Sequence, residues 1–381
     1  MTPAQPQSPQ PALFHIVDLF AGPGGLDIAA KALGVSSIGV EWDTGAYATR
    51  TRAGLPTVHK DVRKCSPTDP AFRGANVLAG GPPCQTFTVA GHGAGRRALD
   101  TVLKFVQRLV DRDEWSNIEA DLAELKDERT GLVLQPLHWA LEAIDNPELD
   151  PYHAIVLEQV PAVLPVWEAY AKALSDEYET DFDVLRTEEF GVPQTRKRAV
   201  LIARRRNEVG TLHSHHPLRL PSPTHQRYRG GTSREAEGFT MGDAVPEKWV
   251  SMAQALPKRP TPFTVISNYG TGGDPKARGE RRSDQPSATV TGKISRNRVV
   301  GPHGIDRFSF SEAGRLQTFP AEYPWSGSDI SQQIGNAVPP RLGMHIISAA
   351  LGLGQPSKKA LDRLASWKPP GTMEEDDASG S

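Results

Sequence analysis

Short apolar runs alternate with amphipathic stretches along the first half of the chain. An apolar run at residues 15–20 is followed by a glycine-rich turn at 21–25, a helical pattern at 26–33 and a second apolar run at 37–42. The order strand, turn, helix, strand at this spacing is typical of the start of a doubly wound parallel sheet. We therefore predict an α/β fold with a mostly parallel, Rossmann-like sheet.

The alternation of strand and helix patterns continues beyond this opening. Buried strands are predicted at residues 75–79, 154–157 and 198–203, and helices at 98–110, 131–143, 166–175, 311–316 and 341–351. Residues 207–290 differ, because Gly, Pro, Ser, Thr, Arg and His dominate there and apolar runs are few. This composition predicts a smaller, irregular domain whose loops carry function.

Composition and pattern together divide the chain into five segments. We expect a disordered tail at 1–12, a catalytic and cofactor-binding domain at 13–206, the irregular domain at 207–290, a return to the first domain at 291–354, and a disordered acidic tail at 355–381.

Charge is strongly segregated, although the chain as a whole has a net charge of only -2. Residues 1–192 carry 28 acidic and 16 basic side chains, whereas residues 193–298 carry 20 basic and 8 acidic ones. A basic module of this kind more often meets phosphates than water alone, so we expect contact with a nucleic acid.

Cysteine content argues against an exported or zinc-containing protein. The 381 residues include only Cys65 and Cys84, too few for a disulfide framework, and the crowded His213, His215, His216 and His225 have no cysteine near them. No segment offers the roughly 20 apolar residues that span a bilayer. We expect a cytoplasmic protein with no membrane segment and no metal.

The glycine-rich turn and the ends of the next two strands suggest a nucleotide-type ligand. The turn lets the backbone approach a ligand, and Glu41, after the second apolar run, could accept from both ribose hydroxyls. Trp42 could lie on an adenine face, and Asp61, where a third strand should end, could accept from an adenine amino group. The turn alone is a weak signal, but the three features together favour a cofactor site.

Cys84 lies where an α/β sheet places reactive groups. It follows the predicted strand at 75–79, Pro82 and Pro83 stiffen the chain before it, and a loop rich in Gly and Arg follows at 91–97. A free cysteine is by default a small buried apolar residue. Cys65 keeps that interpretation, whereas Cys84 is a candidate nucleophile.

Five motifs, in this order, resemble those of the DNA (cytosine-5)-methyltransferases over residues 14–351. They are Asp18-Leu19-Phe20-Ala21-Gly22-Pro23-Gly24-Gly25, Pro82-Pro83-Cys84-Gln85, Glu158-Gln159-Val160, Gln194-Thr195-Arg196-Lys197-Arg198, and Gly335-Asn336-Ala337-Val338-Pro339-Pro340. The run Arg315 to Pro320 also looks like the segment that precedes the family's last motif. By the same resemblance, residues 207–290 form a target-recognition domain.

The resemblance implies S-adenosyl-L-methionine as cofactor and assigns the site residues. The thiolate of Cys84 would add to carbon 6 of cytosine, Glu158 would bind ring nitrogen 3, Arg198 would hold the base carbonyl oxygen and orient Glu158, and Arg196 would face the catalytic loop or a phosphate. The cofactor would contact Phe20, Ala21, Gly22, Gly24, Gly25, Glu41, Trp42, Asp61, Val62, Pro83, Asn336, Ala337 and Val338.

Two features depart from the family pattern. Gln159 stands where the family usually has Asn, so any hydrogen bond made by Asn must be remade by a side chain one methylene longer. Residues 98–126 look inserted between the cysteine and a later motif that begins at Asp127. Because charge runs are usually solvated, we expect a surface hairpin there rather than a DNA-contacting element.

The expected partner is duplex DNA, with the target base rotated out of the stack. We expect a monomer of bacterial or phage type, with a cognate restriction endonuclease, if one exists, acting separately. A transfer-RNA cytosine methyltransferase on the same fold and a catalytically silent DNA-binding relative remain alternatives. A nicotinamide oxidoreductase would leave Cys84, Glu158 and the basic module unexplained.

Overall fold

The computed structural model describes residues 13–83, 94–125, 130–206, 217–230, 245–270 and 278–370. Several predictions concern residues outside these ranges, among them the tail at 1–12, Cys84, and the loop from Gln85 to Gly93.

A seven-stranded sheet forms the centre of the molecule. Its spatial order is β3-β2-β1-β4-β5-β7-β6; all neighbours are parallel except β7, which is antiparallel to both β5 and β6. The strands are β1 His15–Asp18, β2 Ser36–Val40, β3 Thr57–Val58, β4 Val77–Gly80, β5 Ala154–Gln159, β6 Tyr178–Arg186 and β7 Lys197–Arg205. The predicted α/β, mostly parallel sheet is confirmed.

Helices cover both faces of this sheet. The helices of the described residues are α1 Gly25–Leu33, α2 Thr44–Arg52, α3 Ala94–Val110, α4 Trp115–Ala123, α5 Gln135–Asp145, α6 Leu164–Ala173, α7 Met252–Ala255, α8 Phe310–Leu316, α9 Ile330–Asn336, α10 Pro340–Leu351 and α11 Lys358–Ala365. Of these, α7, α8 and α9 contribute to a separate apolar core. One apolar core lies beneath α1, α10 and α11, and a second beneath α3, α5 and α6. Within the described ranges, no helix has the length and apolar character needed to cross a bilayer.

The first helix begins at a glycine that the turn requires. Gly24, the residue before α1, has φ of 101°, in the left-handed region, and a Cβ there would lie 2.2 Å from Cδ1 of Leu55. Glycine is the residue that adopts this backbone without strain. The turn therefore presents backbone rather than side chains at the end of β1.

A second, antiparallel sheet lies in the basic part of the chain. Its order is β11-β10-β8-β9, from β8 Thr264–Gly270, β9 Arg278–Arg282, β10 Arg298–Gly301 and β11 Gly304–Asp306. Its core includes Phe263, Val299 and Phe308. This sheet continues past the predicted boundary at residue 290, because β10 pairs with β8 and β11 pairs with β10.

The segment at 355–381 is not wholly a tail. Ser357 caps α11 by accepting from the N–H of Ala360, and Ala360 and Leu364 are buried against the core that α1 contributes to. The prediction of disorder from residue 355 is wrong for this helix, because the acidic run near the end concealed a short apolar face before it. Residues 371–381 lie outside the described ranges.

The segment 98–126, predicted as an insertion, is more deeply packed than a surface hairpin. Val102, Phe105, Val106 and Leu109 of α3 are buried in the core on one face of the main sheet. On the other side Arg108 pairs with Asp113 and Asp121, each at 2.6 Å. The prediction from the charged residues of this segment was correct for its solvated side. It missed the apolar stripe that packs α3 against the sheet.

Candidate active site

Several predicted site residues meet at one edge of the main sheet. Asp18 ends β1, Gly80 ends β4, Glu158 is the next-to-last residue of β5, and Glu41 directly follows β2. Because these four strands are parallel, their carboxyl ends share one edge, the edge at which open α/β sheets bind ligands.

Glu41 organises the glycine-rich turn. Its Oε2 accepts the N–H of Gly22 at 2.7 Å, and its Oε1 accepts the N–H of Asp43 at 2.7 Å. Burial raises the pKa of Glu41, while the two backbone N–H groups oppose that rise. Each carboxylate oxygen keeps a second lone pair, so the residue can still accept from a ribose hydroxyl.

The space beside this turn fits a cofactor of the S-adenosylmethionine type. A Cβ built on Gly22 would meet no atom within 4 Å, which leaves room for a ligand against the backbone. Phe20 is half-buried at the edge of this space, and Ala21 and Val62 are buried. Trp42 is 69% exposed, so its ring is available to a ligand.

Asp61 differs from its predicted environment. β3 ends at Val58, and Asp61 instead caps a short 3-10 turn by accepting the N–H of Arg63 at 3.0 Å. The Arg63 guanidinium also binds both carboxylate oxygens, at 2.6 Å for the shortest contact. An adenine amino group would therefore share Asp61 with Arg63.

The last motif reaches the first one, as the resemblance implied it should. A Cβ on Gly25 would lie 2.2 Å from the carbonyl oxygen of Val338, so only glycine permits this approach. Ala337 and Val338 are buried, whereas Asn336 is exposed and accepts from Gln332 at 3.1 Å.

A buried ion pair beneath the turn was not predicted. Arg50 binds Asp27 at 2.6 Å, with both side chains fully buried, and donates to Thr57 Oγ1 at 2.8 Å. Its Nη1 also lies 3.4 Å from the carbonyl of Ala21 in the turn. The one available signal was Asp27 itself, an acid within an otherwise apolar helix pattern.

Asp18 lies next to this ion pair. Burial and the charge of Asp27 raise the pKa of Asp18 to about 7, although Arg50 opposes the shift. Its Oδ1 has no hydrogen-bond partner in the described part of the chain. A carboxyl group that is easily protonated thus lies under the cofactor turn.

Glu158 and Arg198 form the second part of the site. Arg198 Nε lies 2.8 Å from Glu158 Oε1, and both side chains are largely buried. Burial raises the pKa of Glu158, and the Arg198 and Arg196 charges counteract it. The pair can offer a proton from the carboxyl group and hydrogen bonds from the guanidinium to a single bound ring.

A cleft of about 450 Å³ opens beside this pair. Its lining is mainly polar and basic: Pro161, Arg186, Glu188, Thr195, Arg196, Lys197, Arg198 and Thr289. The volume is within the ordinary range for small-ligand sites, about 300–1,000 Å³, so a single base can enter.

Arg196 lines the same cleft and is held there by backbone carbonyls. It is 2% exposed and donates at 2.8 Å to the carbonyls of Val290 and Gly335. Burial lowers the pKa of Arg196 to about 9. Its side chain connects the segment after β9 and the last motif to β7. The catalytic loop, which Arg196 was predicted to face, lies outside the described residues.

Gln194 connects segments that are far apart in sequence. Its amide donates to Gln317 Oε1 at 2.7 Å and accepts the N–H of Val290 at 2.6 Å. Gln317 in turn donates to the carbonyl of Ile334 at 2.7 Å. Segments far apart in sequence are thereby held around the same cleft.

The predicted nucleophile follows the last described residue of its segment. Pro83 is described and Cys84 is not, and the Pro82 carbonyl accepts a hydrogen bond from the side chain of Gln159. Cys65 is half-buried, and burial raises the pKa of its thiol, which keeps it protonated. Within the described residues no group of His, Cys, Asp and Glu side chains is arranged to hold a metal ion.

Sheet order, cofactor-type turn and buried carboxylate–guanidinium pair together define an α/β methyltransferase. The family profile of the C-5 cytosine-specific DNA methylases matches residues 14–109 and 154–351. The chain belongs to this family. It is a DNA (cytosine-5)-methyltransferase whose methyl donor is S-adenosylmethionine.

Curated relatives agree with this assignment. The chain is 27% identical to the type II methyltransferase M.AplI of Arthrospira platensis, over 87% of this chain and 84% of that protein. It is also 27% identical to the type II methyltransferase M1.HphI of Haemophilus parahaemolyticus, over 88% of this chain and 86% of that one.

Solved structures agree on the fold. The Dnmt2 methyltransferase of S. pombe covers 89% of this chain and 99% of its own, with a TM-score of 0.57 at 16% identity. The Dnmt2 of Spodoptera frugiperda covers 88% of this chain and 99% of its own, with a TM-score of 0.53.

Proposed function

We propose that this enzyme methylates cytosine within a specific duplex DNA sequence, and that Cys84 acts as nucleophile on a base rotated into the cleft beside Glu158 and Arg198. The observation that carries the proposal is the buried Glu158–Arg198 contact of 2.8 Å. It lies at the same sheet edge as the cofactor turn, next to the strand whose extension leads to Cys84.

Methylation of cytosine requires covalent catalysis because carbon 5 of the base is a poor nucleophile. The Cys84 thiolate adds to carbon 6, and the electron pair of the 5,6 double bond moves into the ring as Glu158 donates a proton to nitrogen 3. Arg198 holds the carbonyl oxygen of the base and keeps Glu158 in position. This sequence gives carbon 5 the electron density to form a bond to a methyl group.

The turn of Gly22 and Glu41 holds the methyl donor at the same edge. When bound there, S-adenosylmethionine supplies an electrophilic methyl group on a positively charged sulfur. After carbon 5 is methylated, a base takes its proton, the Cys84 sulfur leaves carbon 6, and the double bond re-forms. The proton taken by nitrogen 3 is returned, so the enzyme regains its starting state.

Sequence choice in this proposal belongs to the basic module. Arg281 and Arg282 end β9, and Arg298 begins β10. Some of these side chains would bind phosphates without reading sequence, and others would read base edges in a groove. We propose a monomer that acts on bacterial or phage DNA in the cytoplasm, with any restriction endonuclease acting as a separate protein.

The test is to express the protein in bacteria that lack cytosine methylation and to map 5-methylcytosine in their DNA by sequencing. The proposal predicts 5-methylcytosine in one short sequence context, retained in cells with Cys65→Ala and absent with Cys84→Ala. Methylation without sequence preference, or methylated transfer RNA with unmethylated DNA, would contradict it.

A further inference from the structure

A second cavity lies away from the catalytic edge. It has a volume of about 280 Å³ and is lined by α10, the end of β7 and the chain at 217–222 and 352–356. Its polar side chains are Arg204, Arg219, Ser222, His345, Ser348 and Gln355. Arg204 pairs with Ala154 at the start of β5, six residues from Arg198 along β7. At about 3.3 Å per strand residue, the cavity is roughly 20 Å from the Glu158–Arg198 pair.

Three polar atoms at this cavity have no partner in the described part of the chain. They are both ring nitrogens of His345, which is 3% exposed, and Oγ of Ser348, which is 1% exposed. A buried polar group without a hydrogen bond destabilises the folded protein. Such groups on one face of a helix, i and i+3, are unusual unless something else binds them.

The cavity lining contains two arginines and no acid. Arg204 uses Nε and Nη2 for the carbonyls of Ala350 and Ala349, at 2.9 and 2.7 Å, which leaves Nη1 without a bond in the described residues. Arg219 is exposed and forms no ion pair within the described ranges. Glu179 and Asp181 lie outside the lining and accept the N–H groups of Leu218 and Leu220, at 3.2 and 2.8 Å.

His345 is neutral under ordinary conditions. Burial, with the charges of Arg341 and His225, lowers the pKa of His345 to about 3. A neutral imidazole has one N–H donor and one bare nitrogen that accepts. A ligand that satisfies both nitrogens must therefore bring an acceptor and a donor.

We propose that this cavity binds a phosphate group, either inorganic phosphate or the phosphoryl group of a small metabolite. Two guanidinium groups, the Ser348 hydroxyl and the His345 N–H offer donors to several oxygens at once, and arginine suits the geometry of phosphate. Hydrogen phosphate also carries an O–H for the bare nitrogen, which sulfate lacks. Two arginines exclude a cation, and the volume excludes a large ligand.

The test is calorimetric titration of the full-length protein with inorganic phosphate and, separately, with sulfate, at constant ionic strength and neutral pH. Ser348→Ala and Arg219→Gln each remove one donor and should weaken phosphate binding at least tenfold. Arg73→Gln, an exposed arginine elsewhere on the surface, is the matched control and should bind as the parent does.

Phosphate binding that is tighter than sulfate binding and is lost in both variants is the expected result. Titration with a nucleoside 5′-monophosphate distinguishes the sources: tighter binding than phosphate identifies a phosphorylated metabolite, and weaker binding identifies the free ion. The proposal would be overturned if phosphate did not bind, or if both variants bound phosphate as tightly as the parent protein. Equal affinity for sulfate and phosphate, or displacement of phosphate by duplex DNA, would also overturn it.

Discussion

The side-chain amide of Gln159 donates a hydrogen bond to the backbone carbonyl of Pro82, and its oxygen accepts the N–H of Val160. One side chain thus connects the end of β5, which carries Glu158, to the proline turn that precedes Cys84. The methylene that distinguishes Gln from the family's usual Asn does not prevent this connection.

Gln159→Leu should slow methyl transfer while leaving the fold intact, because Pro82 loses the donor that fixes the turn. A lost hydrogen bond is worth about 0.5–1.5 kcal/mol, which corresponds to roughly 2- to 12-fold in rate. Gln159→Asn keeps the amide and is the matched control, expected to remain near the parent rate. Single-turnover kinetics on DNA would measure the rate of methyl transfer in both variants. A Gln159→Leu rate equal to that of the parent would show that Gln159 does not position the turn.

Glu41→Ala should weaken S-adenosylmethionine binding tenfold or more, because a carboxylate hydrogen bond is worth about 1.5–3 kcal/mol and the Gly22 turn also loses its anchor. Arg198→Ala should keep cofactor affinity and slow the chemical step. Glu119→Ala removes an exposed carboxylate on α4 and controls for charge. The affinity for S-adenosylmethionine would be measured by calorimetry without DNA. An equal loss of this affinity in the Glu41 and Arg198 variants would contradict the division of roles.

Asp18 should make stability depend on pH. Its pKa is 3.8 in an unfolded chain and about 7 when folded, so between these values the folded state holds a proton that the unfolded state has released. The unfolding free energy should therefore fall as pH rises from about 4 to 7. Asp18→Asn should flatten this slope in denaturant titrations, whereas Asp100→Asn, at an exposed position, should not. An unchanged slope in Asp18→Asn would refute the assignment.

Arg196→Met should destabilise the protein by about 2–4 kcal/mol, since the carbonyls of Val290 and Gly335 both lose a buried donor. DNA affinity should fall more than cofactor affinity, because Val290 leads out of the second sheet. Lys197→Met, an exposed neighbour, should change stability by less than about 0.5 kcal/mol. An Arg196→Met protein as stable as the parent would show that the hydrogen bonds from Arg196 to Val290 and Gly335 do not stabilise the fold.

Local pattern was enough to predict the sheet and the site edge. The strand–turn–helix at residues 15–33 and the acid after β2 have short-range signatures, and both lie where the pattern predicted them. Contacts between distant segments could not be predicted this way. The Arg50–Asp27 pair, the burial of Arg196 and the pairing of β10 with β8 depend on packing that brings together residues far apart in sequence.

The tail and the inserted segment were misjudged for a related reason. Charged side chains recur along both α11 and α3, so composition suggested solvent on all sides. A narrow apolar stripe is enough to bury a helix face, and its periodicity, not its composition, carries that information.

The central claim is that Cys84 bonds to carbon 6 of cytosine during methyl transfer. Duplex DNA in which 5-fluorocytosine replaces cytosine tests it directly, because fluorine on carbon 5 cannot leave as a proton does and the intermediate is trapped. Incubation with S-adenosylmethionine, digestion and mass spectrometry should find the DNA attached to the peptide that contains Cys84. The account would be contradicted if an enzyme preparation that methylates ordinary DNA formed no adduct with the fluorinated DNA. It would also be contradicted if the adduct formed on Cys65.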